Sequence, residues 1–222
     1  ELMDDFSIGG DLLRDTLDKL ENINRWLGGN KVTLNGLKKL LKNHPKEQEV
    51  SIVDIGCGHG DILRDVAKFG RKNGYRMNLL GVDANPTAIQ YAIELSAEYP
   101  EVHFKTEDIF SETFQKRQFD VILATLFLHH FKETQLITFL SNSLQQTKIG
   151  ILVNDLHRHK LAYYLFLLLS LFIKNKMIIE DGLTSVLRGF KRKDLEGISK
   201  KINANTQISW KWAFRFLWII KK

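Results

Sequence analysis

Cysteine is nearly missing from this chain: of 222 residues only Cys57 carries a thiol. That excludes an intrachain disulfide and a Cys-rich zinc site, and it suits a reducing cytoplasm. Proline is scarce too, at three residues, so collagen-like and Pro-rich disordered architectures fall away. Long apolar runs are also missing. The greasiest stretch, Leu161 to Ile173, is broken by Ser170 and falls short of the roughly 20 residues that a spanning helix needs. The opening Glu1-Leu2-Met3-Asp4-Asp5 offers neither a basic nor an apolar leader segment. The expectation is a cytoplasmic protein with no transmembrane segment and at most peripheral membrane contact. Nor is charge of one sign concentrated. Lysine and arginine number 32 against 26 acids, for a net +6. The basic residues are scattered, however, as in Lys38-Lys39, Lys191-Arg192-Lys193 and Lys200-Lys201. No Arg-rich stripe with interleaved aromatics exists, so these read as solvated helix faces and no nucleic-acid partner is expected.

What the chain does have is alternation. Apolar positions at helical spacing predict a helix over 11–27, stopped by Gly28-Gly29, and a second over 32–43. From residue 50 short apolar runs take over: Val50–Ile55, Asn78–Asp83, Val102–Asp108, Phe119–Leu126 and Ile149–Asn154 read as strands. Helices are expected between them over 60–73, 86–98 and 131–146. Runs such as Ser51-Ile52-Val53 are apolar on both faces, as strands covered on two sides should be. The pattern predicts an α/β fold with a doubly wound, mostly parallel sheet and right-handed crossovers. Later come amphipathic helices over 157–173 and 191–202. Two strand-like runs, Gln207–Phe214 and Arg215–Lys222, are too closely linked to be anything but antiparallel. The length suits one domain. Within it, 1–47 would be an N-terminal helical lid, 48–156 a cofactor-binding core, 157–190 a helical insertion on the acceptor side, and 191–222 a helix and terminal hairpin.

The strongest local signal is Val53-Asp54-Ile55-Gly56-Cys57-Gly58-His59-Gly60-Asp61, where the first strand turns into a helix. Its G-x-G-x-G spacing differs from the G-x-G-x-x-G of dinucleotide enzymes, which disfavours an NAD-dependent oxidoreductase. A glycine turn alone is weak evidence. Asp83, ending the second strand, is placed to accept hydrogen bonds from both ribose hydroxyls of a nucleoside, although Asp83 and Asn85 ahead of Pro86 also suit a helix cap. Asp108 and Ile109 follow the third strand and Ala124 ends the fourth. Four strand ends thus agree on one adenosine-shaped site.

VDIGCGHGD, GVDANP, TEDIF and FDVILATLFLHHF resemble, in the right order, motifs I to IV of class I S-adenosylmethionine-dependent methyltransferases. The resemblance covers about residues 48 to 156. It implies S-adenosyl-L-methionine as cofactor, with Asp54, Gly56, Cys57, Gly58 and Gly60 at the methionine end. It further implies Asp83 at the ribose, bordered by Ala84 and Asn85, then Asp108 and Ile109 at the adenine, and backbone contacts from Ala124. A seven-stranded Rossmann-like sheet ending in a reversed strand is expected with it. INRWLGG, NDLHR, LAY and DGLTSVLRGF resemble small bacterial methyltransferases associated with type III polyketide synthases and with quinone or phenolic-lipid pathways. That narrower resemblance implies an aromatic or polyketide-like lipophilic acceptor, and places Asn24 and Arg25 over the cofactor carboxylate.

Methyl transfer to oxygen or carbon gains from a base that removes the acceptor's proton. The candidates are His129 and His130 after the fourth strand, and Asp155 and His157 after the fifth, with His159 beside them. Each has a duller reading. The two histidines would pack against the helix that follows, Asp155 would cap a helix, and His157 and His159 would be exposed at a helix start. A metal held by the same groups is the weaker reading, so no metal is expected. Arg158 and Arg188 face either an acidic acceptor or surface carboxylates. Leu161–Ile173 suits a greasy wall for a lipophilic acceptor or, more simply, core packing, and Trp210, Trp212 and Trp218 read as sheet-face or core residues. Methylation of a small molecule competes with methylation of RNA or protein. It also competes with a silent cofactor-binding module. Against base methylation, positions 124–127 read Ala-Thr-Leu-Phe instead of the Asn/Asp-Pro-Pro-aromatic run that amino groups of bases require.

Overall fold

A computed structural model describes residues 9–173 and 175–222, so the opening segment read above for a leader lies outside the described residues. The chain order begins with two helices, α1 (Gly10–Trp26) and α2 (Gly29–Leu40). Then come β1 (Val50–Ile55), α3 (Asp61–Asn73), β2 (Met77–Asp83), α4 (Pro86–Leu95), β3 (Val102–Thr106) and the one-turn α5 (Glu112–Gln115). The second half holds β4 (Phe119–Thr125), α6 (Glu133–Gln146), β5 (Thr147–Leu156), α7 (Lys160–Ser170), α8 (Lys176–Arg188), α9 (Arg192–Lys201), β6 (Asn205–Lys211) and β7 (Arg215–Lys221).

The strands form one seven-stranded sheet in the order β3-β2-β1-β4-β5-β7-β6. β1 to β5 run parallel; β7 lies antiparallel to β5, and β6 antiparallel to β7. Successive side chains of a strand point to opposite faces, and both faces here are apolar. Ile52, Leu79, Leu123 and Leu217 pack on one side with Leu37 of α2 and Leu63 and Val66 of α3. Their neighbours Val53, Ile122, Ile151 and Trp218 pack on the other with Leu136, Phe139 and Leu140 of α6 and Leu195 and Ile198 of α9. The doubly wound, Rossmann-like arrangement expected from alternation is therefore the one observed.

Several boundaries differ from the expectation. β3 stops at Thr106, because Asp108 turns back to accept the Phe110 N–H at 2.9 Å. β5 runs on to Leu156, held by β7 through Leu156 opposite Arg215; Asp155 is therefore a strand residue and caps no helix. The helix expected over 157–173 is α7 alone, capped by the His159 ring accepting the Leu161 N–H at 3.1 Å. A further helix, α8, follows it. The outward side of α7 is bare, not core-packed, and Trp210 and Trp212 are exposed while Trp218 is fully buried. No helix among the described residues is long and apolar enough to cross a membrane.

Candidate functional site

The strand order reverses between β1 and β4, so the loops that follow these strands part and leave a crevice at their carboxyl ends. β1 ends in the glycine loop. Gly56 (φ +64°) and Gly60 (φ +78°) are left-handed, a region that other residues enter only at a cost. A Cβ at Gly56 would collide with the Phe127 ring from the loop after β4. Gly56 and Cys57 donate their N–H groups to the Val82 carbonyl at 2.8 and 3.1 Å, which clamps the loop to β2.

Three carboxyl groups converge on this loop. Asp54 is buried, and its Oδ1 has no hydrogen-bond partner. Burial first, and then the neighbouring carboxylates of Asp61 and Asp83, push its pKa well above the ordinary value. Asp83 is also raised, by burial, although the N–H groups of Asn85 (2.9 Å to Oδ1), Gly58 (2.9 Å to Oδ2) and Ala84 oppose that. Asp61 is raised by burial, and Asn30 Nδ2 donates to it at 3.1 Å. Three acids that burial pushes toward their neutral form, one with an unpartnered oxygen, make a place where a cation would restore the charged form. The Cys57 thiol, buried beside Asp83 and Asp54, is pushed up and stays protonated. Asn85 caps α4 by accepting the Thr87 and Ala88 N–H groups. Ile109 is buried and Asp108 exposed next to it.

α1 closes over the loop, with Leu17 Cδ2 3.4 Å from where a Gly58 Cβ would stand. It is tied down by polar contacts. Glu21 lies 3.0 Å from His59 Nε2 and 3.3 Å from Arg64, and these contacts, with the His59 ring foremost, hold its pKa down to about 2. Asn24 donates to Asn30 at 2.6 Å, Asn30 to Asp65 at 2.9 Å, and the buried Arg215 to Asn24 Oδ1 at 2.8 Å. Burial lowers the Arg215 pKa to about 10.

Beyond β4, Leu126 takes a left-handed backbone (φ +53°) and a 3-10 turn follows over Leu128–His130. Asp155 organises it. Its Oδ2 accepts the Leu128 and His129 N–H groups at 2.9 and 3.2 Å, and its Oδ1 lies 2.7 Å from His129 Nδ1. Burial works against it, but the His129 ring, its hydrogen bond and the Leu156 N–H at 2.7 Å leave the Asp155 carboxyl below its ordinary pKa. The His130 ring lies 4.4 Å from that of His129.

A profile described as a methyltransferase domain matches residues 46–178, more than half of the chain. The chain belongs to this family. Among curated proteins the methyltransferase is similar to human EEF1A lysine methyltransferase 2, at 28% identity over 100 residues; these are 44% of this chain and 39% of that protein. Among solved structures it resembles the plantazolicin methyltransferase BpumL in complex with SAH, with a TM-score of 0.70 and 20% identity over 95% of this chain and 89% of that one. A SAM-dependent methyltransferase from Aquifex aeolicus gives 0.65 and 14% identity over 93% and 97% of the two chains. The CurJ carbon methyltransferase gives 0.65 and 13% identity over 86% and 53%. At these identities the resemblance is one of fold.

The methyltransferase brings most of the residues singled out in its sequence to one edge. Asp54, Gly56, Cys57, Gly58, Gly60, Asp83, Ala84, Asn85 and Ala124 end or follow β1, β2 and β4 at that edge, with His129 and His130 in the turn after β4 and Asp155 near the end of β5. Arg25 is different: it is half-exposed and engaged by Glu21 at 2.7 Å and Asp65 at 3.4 Å, because α1 and α3 present carboxylates to it. His157 stands at the hairpin, 4.8 Å from the Phe216 ring and 3.3 Å from Trp210 Nε1, its pKa lowered by burial. Arg158 pairs with Asp194 at 2.8 Å, a surface carboxylate. Sequence reasoning missed the tether of Glu21, His59, Arg64, Asn30 and Arg215, whose members are far apart in the chain and follow no spacing rule.

Proposed function

We propose that this chain is an S-adenosylmethionine-dependent methyltransferase acting at an oxygen or activated carbon of a small lipophilic acceptor, aromatic or polyketide-like in character. The observation that carries the reading is the unpartnered oxygen of buried Asp54 among three carboxyl groups, which suits a cationic donor. S-adenosylmethionine, when bound, supplies a methyl group on a positively charged sulfur. The residues present fit that molecule. Asp54 and the backbone of Gly56, Cys57, Gly58 and Gly60 would hold its ammonium end. Asp83 accepts the N–H groups of Gly58, Ala84 and Asn85, and the lone-pair capacity that it keeps would serve the ribose hydroxyls. Ala84 and Asn85 border the sugar, Asp108 and Ile109 the adenine, and Ala124 adds backbone contact.

Leu17 packs near Gly58 and Phe127 near Gly56, so these two apolar side chains would help keep water from the glycine loop and strengthen charge interactions there. His130 is the group we assign to take the acceptor's proton, since it stands in the turn after β4 with its ring 4.4 Å from that of His129. Asp155 fixes the His129 ring, and His129 in turn positions His130. A protein-lysine acceptor is the second reading, favoured by the name of the human relative.

One assay separates the two: transfer of labelled methyl from S-adenosylmethionine to a panel of phenols and hydroxyquinones, with lysine peptides and RNA alongside. Label in the phenol fraction is expected. Label confined to lysine or RNA would overturn the acceptor class, and no transfer despite tight S-adenosylhomocysteine binding would leave a silent binding module.

A further inference from the structure

We propose that this chain docks on an anionic lipid bilayer through the outer face of α7 and the tip of the β6–β7 hairpin. In α7 only Ala162 and Ser170 are buried. Its inner side packs on α8, where the Phe166 ring fills the space that a Cβ at Gly182 would need. On the outer side Leu161, Tyr164, Leu165, Leu168, Leu171 and Phe172 recur at spacings of three and four, which places them on one stripe. Exposure along it climbs from 51% at Leu161 to 75% at Leu171 and 81% at Phe172. Soluble monomers rarely leave a run of large apolar side chains facing water.

The stripe continues past the start of α7. The His159 ring lies 5.3 Å from that of Phe214, which meets Trp210 at 6.1 Å and the 63% exposed Trp212 at 6.3 Å. Indole, with an apolar body and a polar N–H, is favoured where lipid meets water.

Charge decides the occupant. From Leu156 to Ile179 the sequence has no Asp or Glu, whereas Arg158, Lys160, Lys174 and Lys176 fall within it. Arg158 is engaged by Asp194, which leaves lysines before and after the stripe. Lys211 stands between the two tryptophans in sequence, and Lys191 acts on His157. The stripe's own segment carries lysines and no acid, and the carboxylates that approach it from elsewhere, Asp194 on Arg158 and Asp15 on Asn175 and Lys19, are each engaged, which complements an anionic headgroup layer. A two-fold dimer through the same face would set one cationic rim against another. The inference does not depend on the acceptor, although α7 leaves the same sheet edge as the crevice, so docking would bring that edge to the lipid.

The test is flotation of the full chain with vesicles of phosphatidylcholine alone, and of phosphatidylcholine with about 30 mol% phosphatidylglycerol. Co-flotation with the anionic vesicles is expected, about tenfold weaker on neutral ones and weakened by salt, as the Debye length shrinks from about 10 Å at 0.1 M to about 3 Å at 1 M. Combining Leu168→Ser with Phe172→Ser should cut partitioning by about tenfold or more. Its melting temperature and S-adenosylhomocysteine affinity should stay unchanged. The inference fails if wild-type protein ignores anionic vesicles, or if the double variant floats undiminished. A wild-type dimer that the double variant dissolves would overturn it equally, assigning the face to a second copy.

Discussion

A carboxyl group without a partner in a buried crevice costs stability, so a fold that keeps one usually gains something in exchange. Asp54→Asn removes the charge while keeping the shape. The apo protein should melt no lower than wild type, because an amide carries no charge for burial and the carboxylates of Asp61 and Asp83 to oppose. Affinity for S-adenosylhomocysteine should fall by about 1.5–3 kcal/mol, the range of hydrogen bonds to charged groups. A variant that melts much lower but binds normally would make Asp54 a scaffold residue. At His130 the expectation is the opposite split: His130→Ala should slow turnover by about a hundredfold, the lower range for a general base, with cofactor affinity spared. Equal loss in both would point to packing. The glycines and acids of the crevice were legible in the sequence because each lies within a short stretch of chain at a strand end. The protonic partner of His129 was not. Asp155 looks like a helix cap in one dimension, and only the extension of β5 to Leu156 shows it reaching across to the loop after β4.

Among the elements, α1 carries the clearest pH signature. Glu21 ties it to His59 and Arg64, and its folded pKa of about 2 lies below the ordinary 4.5. Its stabilising contribution is therefore complete above pH 4.5 and lost as pH falls toward about 2. Glu21→Gln should lower stability near neutrality by about 1 kcal/mol, the scale of a solvent-screened ion pair, and the gap should close as acid is added below pH 4.5. A gap independent of pH in thermal melts would mean that Glu21 acts through shape alone. The strands were easy to place in the sequence because two-sided burial writes an unbroken apolar run, as in Val121-Ile122-Leu123. α8 was not. Gly182 interrupts its pattern, and the reason a glycine stands there, the Phe166 ring of α7, is visible only in three dimensions. For α7 itself, the sequence suits either a wall for the acceptor or core packing for its apolar side, and only the fold shows Leu161, Leu168 and Phe172 facing outward.

For the molecule as a whole, topology decides which residues can meet. The order β3-β2-β1-β4-β5 carries the ends of β1, β2, β3 and β4, separate by dozens of residues in the chain, to one edge. The central claim is that this edge is an adenosyl-donor site. Calorimetric titration with S-adenosylhomocysteine, run on wild type and on Asp83→Ala, tests it most directly. One site per chain is expected, weakened in the variant by about 1.5–3 kcal/mol, or about 10- to 150-fold. Equal affinity in the two proteins, or heat from NAD and none from S-adenosylhomocysteine, would contradict it.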